Sequence, residues 1–139
     1  IGAVTRLVDM GVDAYLLASS LVGVLAQRLL RTLCADCKTA YRADPVTSVR
    51  LGLAPEDAPT LFRAQGCSHC QQGYRGRTGI YELIAITPTL AGLIHRGASE
   101  PDLVYEARQG SPGLFQDGQR LVLEGLTSLD ELLRVTQED

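Results

Sequence analysis

Two pairs of cysteines are the residues of this 139-residue chain whose type and spacing best suit chemistry. Cys34 and Cys37 form one CxxC pair, Cys67 and Cys70 form a second, and the sequence has no further cysteine. Each CxxC turn offers two soft thiolate ligands, and four thiolates are the ligand set of a tetrahedral structural zinc site. The spacing therefore predicts a Zn²⁺ site. The long spacer, residues 38–66, predicts a small inserted subdomain whose base is the two turns.

Two other interpretations of the cysteines stay open, disulfide bonds and a thioredoxin-like redox dithiol. The sequence shows no secretory leader, and the reducing compartment that this implies disfavours structural disulfides. A redox CxxC ordinarily occurs singly, at the start of a helix that follows a strand. His69, between the last two cysteines, is a substitute ligand, but with four thiolates present we interpret it as an exposed turn residue.

The composition is that of a soluble globular protein and excludes several classes. With 13 basic and 16 acidic residues the net charge is −3, which argues against a protein that coats nucleic acid. No apolar run approaches the roughly 18 residues that a membrane-spanning helix requires. The sequence begins with Ile1, and Met10, its single methionine, lies in a predicted helix. We therefore expect the chain to be a piece of a longer protein.

Several catalytic motifs are missing from the sequence. It has no GxxxxGK[ST] phosphate loop, no HExxH and no GxSxG, and Lys38 is its single lysine. His69 and His95 lack helical ligand spacing, and His95 is interpreted as a residue at a helix C-terminus. A glycine-rich run from Gly73 to Gly79 precedes a strand, so we interpret it as a turn beside the metal site and not as a phosphate cradle. We expect no catalysis from this chain alone.

The pattern of apolar and capping residues predicts a mixed, helix-rich α/β protein. Residues 24–33 are compatible with a helix or a strand, and the proline-rich spacer between the cysteine pairs is predicted to be rich in loops. A strand is predicted over 78–86. Helices are predicted over 3–10 and 14–21 and after three start signals, at Thr87-Pro88, Ser99 and Ser128. The apolar residues Leu114, Phe115, Leu121 and Val122 predict a further amphipathic helix that ends before Gly125. Charge divides unevenly, because residues 1–98 carry net +3 and residues 99–139 carry net −6.

Three stretches of the sequence, taken together, resemble one protein family. They are GAVTRLVDMGVDAYLLASSLVGVLAQRLLRTLCADCK, GCSHCQQGYRGRTGIYELIAI and GLTSLDELLRVTQED. They resemble the C-terminal portion of bacterial type II secretion ATPases, the general secretory pathway protein E family, which is related to the type IV pilus assembly ATPases. The match before the first cysteine pair, LASSLVGVLAQRLLRTLC, together with the match after the second, GYRGRTGIYE, makes the resemblance specific, and it is weakest over residues 44–62.

The resemblance implies a fold and a place within a larger protein. It implies the C-terminal end of a RecA-like ATPase domain over 1–33, a tetracysteine zinc subdomain over 34–70, and a closing strand with C-terminal helices over 71–139. It also implies that residues 24–33 form a strand that pairs with the region around 78–86. The family's phosphate loop and histidine box would precede Ile1, so no catalytic residue carries over, and ATP and Mg²⁺ would bind only to the full-length parent.

The resemblance also implies the residues and partners of the family. The metal-ligand positions carry over onto Cys34, Cys37, Cys67 and Cys70, while Arg28 and Arg77 match recurrent positions that suggest subunit contacts or the nucleotide neighbourhood. The family is a homohexamer on the cytoplasmic face of the inner membrane, associated peripherally through the inner-membrane platform and assembly proteins. Its ATP hydrolysis drives pseudopilus assembly.

Two other functions compete with the secretion ATPase. A type IV pilus assembly ATPase shares the same architecture, and a gene neighbourhood would distinguish it. A free-standing zinc-ribbon module that binds nucleic acid would use Arg75, Arg77 and the cysteine turns. Such a module needs a basic surface with aromatic side chains for stacking, but the chain is acidic, has no Trp, and places only Tyr74 and Tyr81 nearby.

Overall fold

The computed structural model describes residues 1–136, which form a mixed helical and sheet structure. Along the chain the elements are α1 (Gly2–Asp9), α2 (Ala14–Ser20), β1 (Gly23–Leu33), β2 (Thr39–Arg42), α3 (Pro45–Arg50), β3 (Thr60–Arg63), β4 (Tyr74–Ala85), α4 (Pro88–His95), α5 (Glu100–Arg108), α6 (Leu114–Leu123) and α7 (Leu129–Thr136). None of the described helices has the length and apolar character to cross a membrane.

The long strands β1 and β4 pair with each other in a two-stranded sheet. At one end the Ile86 N–H donates to the Val22 carbonyl, and at the other the Cys34 N–H donates to the Gly73 carbonyl, so the two strands run antiparallel. The strand that the resemblance implied over 24–33 is thus confirmed. The helical period was misleading because one of the residues that produced it, Leu25, is 63% exposed.

The chain divides into two compact units, and the first consists of Ile1–Ala26 and Tyr81–Gly113. Its buried core comes from α1, α2, α4, α5 and the end of β4, and its members are Val4, Leu17, Ile84, Leu90, Ile94, Leu103 and Ala107. The predicted start signals act as helix caps, because Thr87 accepts a hydrogen bond from the Leu90 N–H and Ser99 accepts one from the Asp102 N–H. Glu82, which is buried, pairs with Arg108 at 2.6 Å.

The second unit consists of Gln27–Ile80 and the chain from Leu114 onward. Within it, β2 and β3 form an antiparallel pair in which Thr39 lies opposite Arg63 and Arg42 lies opposite Thr60. The spacer between the cysteine pairs thus contains two strands and a helix where a loop-rich segment was predicted. Elements of four to six residues are too short to produce a clear period.

The core of the second unit joins the spacer to the last two helices. Leu51 and Leu61 of the spacer are fully buried in one cluster with residues of α6 and α7, among them Val122 and Leu132. Leu30 of β1 belongs to the same cluster. The spacer therefore buries its apolar side chains against α6 and α7. This burial raises the free energy of unfolding of the second unit.

Candidate metal centre

The four cysteine sulfurs lie together at one place in the second unit. Their Sγ atoms are all within 4.8 Å of one another, and the four residues form no disulfide. The Sγ–Sγ distances are 3.9 Å for Cys34–Cys67, 3.7 Å for Cys37–Cys70 and 3.6 Å for Cys67–Cys70. The structure thus brings together the four residues that the CxxC spacing predicted as a ligand set.

These distances suit a tetrahedral metal site. Zinc–thiolate bonds of about 2.3 Å place neighbouring sulfurs at the corners of a tetrahedron with edges of about 3.8 Å. The three Sγ–Sγ distances lie within 0.2 Å of that edge, and far from the bond length of a disulfide. The donor set is four soft sulfurs, which favours Zn²⁺ over Mg²⁺ or Ca²⁺. With four protein ligands such a site has no open position for a substrate.

Hydrogen bonds to the backbone shape the first cysteine turn, residues 34–37. The Cys34 carbonyl accepts from the Lys38 N–H at 3.0 Å and from the Cys37 N–H at 3.4 Å, which folds the chain back so that both sulfurs face the same way. The Cys34 N–H donates to the Gly73 carbonyl at 2.9 Å, and Cys34 is 1% exposed. The first turn therefore continues directly from the buried end of β1.

The second cysteine turn, residues 67–70, is held mainly by its own atoms. The Cys67 N–H donates to the Cys70 Sγ at 3.3 Å, the kind of N–H···S contact that stabilises a thiolate, and Cys67 is exposed. A tight reversal follows, in which Gln72 (φ 53°) and Gly73 (φ 86°) are left-handed. A Cβ on Gly73 would come within 2.9 Å of the Ala64 Cα and the Gln65 nitrogen, so this position requires glycine.

The sulfurs differ in how readily they lose a proton. Burial raises the pKa of the Cys37 thiol to about 12. Burial also opposes ionisation of Cys70, but hydrogen bonds that involve Cys67 and Gly73 lower its pKa to about 7. Without a cation, four adjacent sulfurs cannot all be thiolates near neutral pH because their charges repel. A divalent metal ion removes this obstacle, since it binds the thiolate form.

Lys38 holds the first turn against the second half of the chain. Its Nζ donates to the Gly125 carbonyl at 2.8 Å and lies 4.4 Å from the centre of the Phe62 ring. Gly125 has φ 72°, and a Cβ there would collide with the Phe62 ring. The single lysine of the sequence thus joins the first cysteine turn to the turn that follows α6.

A buried carboxylate anchors the end of β1, and sequence reasoning did not find it. Glu131 has a fully buried side chain that accepts from the Arg31 backbone N–H at 3.0 Å, from the Arg31 guanidinium at 2.7 Å and from Arg134 at 2.8 Å. Burial alone would raise the pKa of Glu131, but these hydrogen bonds outweigh it and hold the pKa at about 2. Ser128 caps the helix as predicted, by accepting from the Glu131 N–H.

Further contacts complete this anchor. Thr127 Oγ1 donates to the Arg31 carbonyl, and the Leu33 N–H donates to the Leu126 carbonyl. The Arg31 guanidinium lies 4.2 Å from the centre of the Tyr74 ring, and the Tyr74 hydroxyl is 2.7 Å from Ser128 Oγ. No local motif could have revealed this network, because its two halves lie about 100 residues apart in the sequence.

The two arginines singled out from the sequence lie on different strands. Arg28 is exposed on β1, while Arg77 is exposed on β4 and lines a cleft of about 880 Å³ together with Arg31 and Arg75. Arg28 is not among the residues that line this cleft. His95 ends α4, as expected, and its ring makes an edge contact with Tyr15.

Comparison with known proteins identifies the family. The profile of the family described as "Type II/IV secretion system protein" matches residues 1–134. All of the chain aligns with type II secretion system protein E of Pseudomonas aeruginosa at 54% identity and with its counterpart in Aeromonas hydrophila at 47%. Type II secretion system ATPase E of Vibrio cholerae is 48% identical over 99% of the chain. The chain spans 28% of the length of each of these relatives. It belongs to the Type II/IV secretion system protein family.

Proposed function

We propose that this chain is the C-terminal part of the cytoplasmic ATPase that powers type II protein secretion. The observation that carries the proposal is the 54% identity to a type II secretion system protein E over the whole chain, including both cysteine turns. In this proposal the parent protein hydrolyses ATP with Mg²⁺ and drives pseudopilus assembly as a homohexamer. The present segment contributes to the hexamer framework and holds a structural metal ion.

The metal site has a structural role in this proposal. Cys34, Cys37, Cys67 and Cys70 would hold Zn²⁺, and the tetrahedral spacing of their sulfurs supports that ligand set. Bound zinc would fix the second turn against the end of β1 and offset half of the negative charge of four thiolates. Arg28 and Arg77 are proposed to act in subunit contacts or near the nucleotide of the assembled enzyme.

The proposed partners are other proteins of the secretion system. The parent would lie at the inner face of the bacterial inner membrane and associate with it peripherally through the inner-membrane platform and assembly proteins. The exposed cysteine turn, residues 67–70, and the surface around it are available for such contacts. A role with nucleic acid is disfavoured, because the Arg31 guanidinium covers one face of Tyr74, the aromatic residue of the cleft.

The proposal is tested in the intact protein. We expect one zinc ion per chain by elemental analysis, ATP hydrolysis that depends on the parent's own phosphate loop, and loss of exoprotein secretion when the gene is deleted. If complementation of the deletion strain restores surface pili and does not restore secretion, the parent protein is a type IV pilus assembly ATPase. A protein without ATPase activity that binds DNA or RNA at low salt would instead be the zinc-ribbon module.

A further inference from the structure

The cleft beside the metal centre has the chemistry of an anion-binding site. It lies wholly within the second unit, in the segment that runs from the second cysteine turn into β4 and beside Arg31 of β1. Arginine and histidine side chains line it, together with serine, glutamine and tyrosine and with Cys70 of the candidate metal centre, and no aspartate or glutamate is among the described residues of its lining. A surface with so many donors and no carboxylate attracts negative charge.

Two of its arginines have charges that the described structure leaves uncompensated. Arg31 already pairs with Glu131 and covers Tyr74, so its charge is satisfied inside the protein. Arg75 and Arg77 are both exposed on β4, and between them Gly76 (φ 86°) has open space around its Cβ position. Two guanidinium groups that line one cleft offer positive charge and several N–H donors to an anionic ligand.

The shape and lining of the cleft favour an extended ligand over a nucleotide. A volume of about 880 Å³ open to solvent is larger than a phosphate or a single carboxylate needs. The aromatic side chain of the lining, Tyr74, is covered on one face by Arg31 and has its hydroxyl bonded to Ser128, so it makes a poor platform for a base. Gln71 adds an amide group suited to a peptide backbone.

We propose that this cleft binds an acidic peptide segment of a partner protein, whose carboxylates pair with Arg75 and Arg77. The inference deepens one of the two roles proposed for Arg77, since it assigns that residue to a protein contact and not to the nucleotide. It does not require that the partner be a secretion protein. Guanidinium–carboxylate pairs in a partly enclosed cleft are bidentate and stronger than exposed pairs.

The test uses the intact protein with its metal and a fluorescein-labelled octaglutamate peptide. We expect saturable binding by fluorescence anisotropy at low salt, with weaker binding at about 300 mM NaCl. The double variant R75A/R77A should bind the peptide about tenfold more weakly or worse. Because both side chains are exposed, the variant is expected to fold, and its zinc content and circular dichroism verify that.

Arg42→Ala is the matched control, because Arg42 is an exposed arginine on β2 that does not line the cleft. Its affinity for the peptide should equal that of the wild type. Equal binding by wild type and R75A/R77A, or no binding at low salt, would overturn the proposal. So would tighter binding of a dT octamer or of ATP through the same two arginines, which would assign the cleft to phosphate. Normal ATP hydrolysis with any of these failures would leave the secretion ATPase intact.

Discussion

The two cysteine turns have the same CxxC sequence pattern but are held in place in different ways. The first turn follows a buried strand end that five hydrogen bonds join to residues 126–131, and Lys38 adds a contact to Gly125. The second turn is exposed and bonds mainly to itself. The protein fold therefore builds one half of the candidate metal site, while the other half is held by its own hydrogen bonds and by the neighbouring reversal.

Metal removal should produce the largest difference between the two turns. After chelation we expect amide hydrogen exchange to speed up strongly around residues 66–72, while the amides of Arg31 and Leu33 stay protected by their hydrogen bonds to Glu131 and to the Leu126 carbonyl. Mass-spectrometric hydrogen exchange on intact protein, with and without chelator, measures this. Equal loss of protection in both turns would mean that the fold holds neither of them alone.

Removing the buried carboxylate should weaken the first turn specifically. Glu131→Gln removes the charge that Arg31 and Arg134 pair with, and because both arginines are partly exposed we expect a loss of about 2 kcal/mol in the free energy of unfolding. Glu124→Gln is the control, because Glu124 pairs with Arg120 in solvent and should cost less than about 0.5 kcal/mol. Urea denaturation of both variants makes the comparison. A similarly small loss of unfolding free energy in both variants would show that the Glu131 network contributes little to stability.

The same carboxylate makes stability depend on acid. Glu131 titrates at about 2 in the folded protein, below its ordinary value of 4.5, so its contribution is complete above about pH 4.5. That contribution disappears as the pH falls from 4.5 toward 2, because the unfolded state then binds the proton more tightly. Denaturation at pH 7 and pH 3 should show a smaller acid loss in Glu131→Gln than in the wild type.

Two glycines near the second turn allow the cost of backbone strain to be measured separately from the cost of steric crowding. Gly73 and Gly76 both have φ 86°, but a Cβ meets backbone atoms only at Gly73. We therefore expect Gly76→Ala to cost about 1 kcal/mol from strain alone and Gly73→Ala to cost about 2 kcal/mol or more. Thermal unfolding and zinc content measure the pair. Equal costs would mean that the Ala64 backbone moves aside freely.

The contact of Lys38 should give the smallest effect. Lys38→Met keeps the apolar stem over the Phe62 ring but removes the hydrogen bond to the Gly125 carbonyl, and we expect a loss of about 1 kcal/mol. Urea denaturation measures it, with zinc content as the check that the metal site persists. A loss of zinc would instead assign Lys38 a direct part in holding the first turn.

The sequence alone predicted the parts of the structure that depend on local patterns. The caps at Thr87 and Ser99 were identified because a short polar side chain before a helix satisfies its free N–H groups. The four cysteines were grouped by ligand chemistry, and the structure brings their sulfurs together. That Zn²⁺ occupies the site stays a prediction, as do the domain boundaries at residues 33 and 70.

Features that depend on distant residues were not predicted. The periodicity of residues 24–33 left helix and strand equally open, because Leu25 is apolar but exposed and so adds a false helical signal. Ser128 and Glu131 were identified as a capping box, but the Glu131 side chain bonds to Arg31 and Arg134, partners that no local motif specifies. The glycine-rich run from Gly73 to Gly79 was predicted to be a turn, but only Gln72 and Gly73 form the reversal and the chain from Tyr74 onward belongs to β4, because its pairing with the distant β1 outweighs the local glycine signal.

The contact between Arg31 and Glu131 also determines when the first cysteine turn gains its anchor during synthesis. The two residues are 100 positions apart, so the ribosome has made both cysteine turns well before the carboxylate that anchors the first of them exists. Contacts of such long sequence separation form late, because a long loop must close first. The nascent chain therefore presents the thiols of the first turn without this anchor until α7 has been made and docks, and in that interval they are more open to oxidation and to capture by the wrong metal.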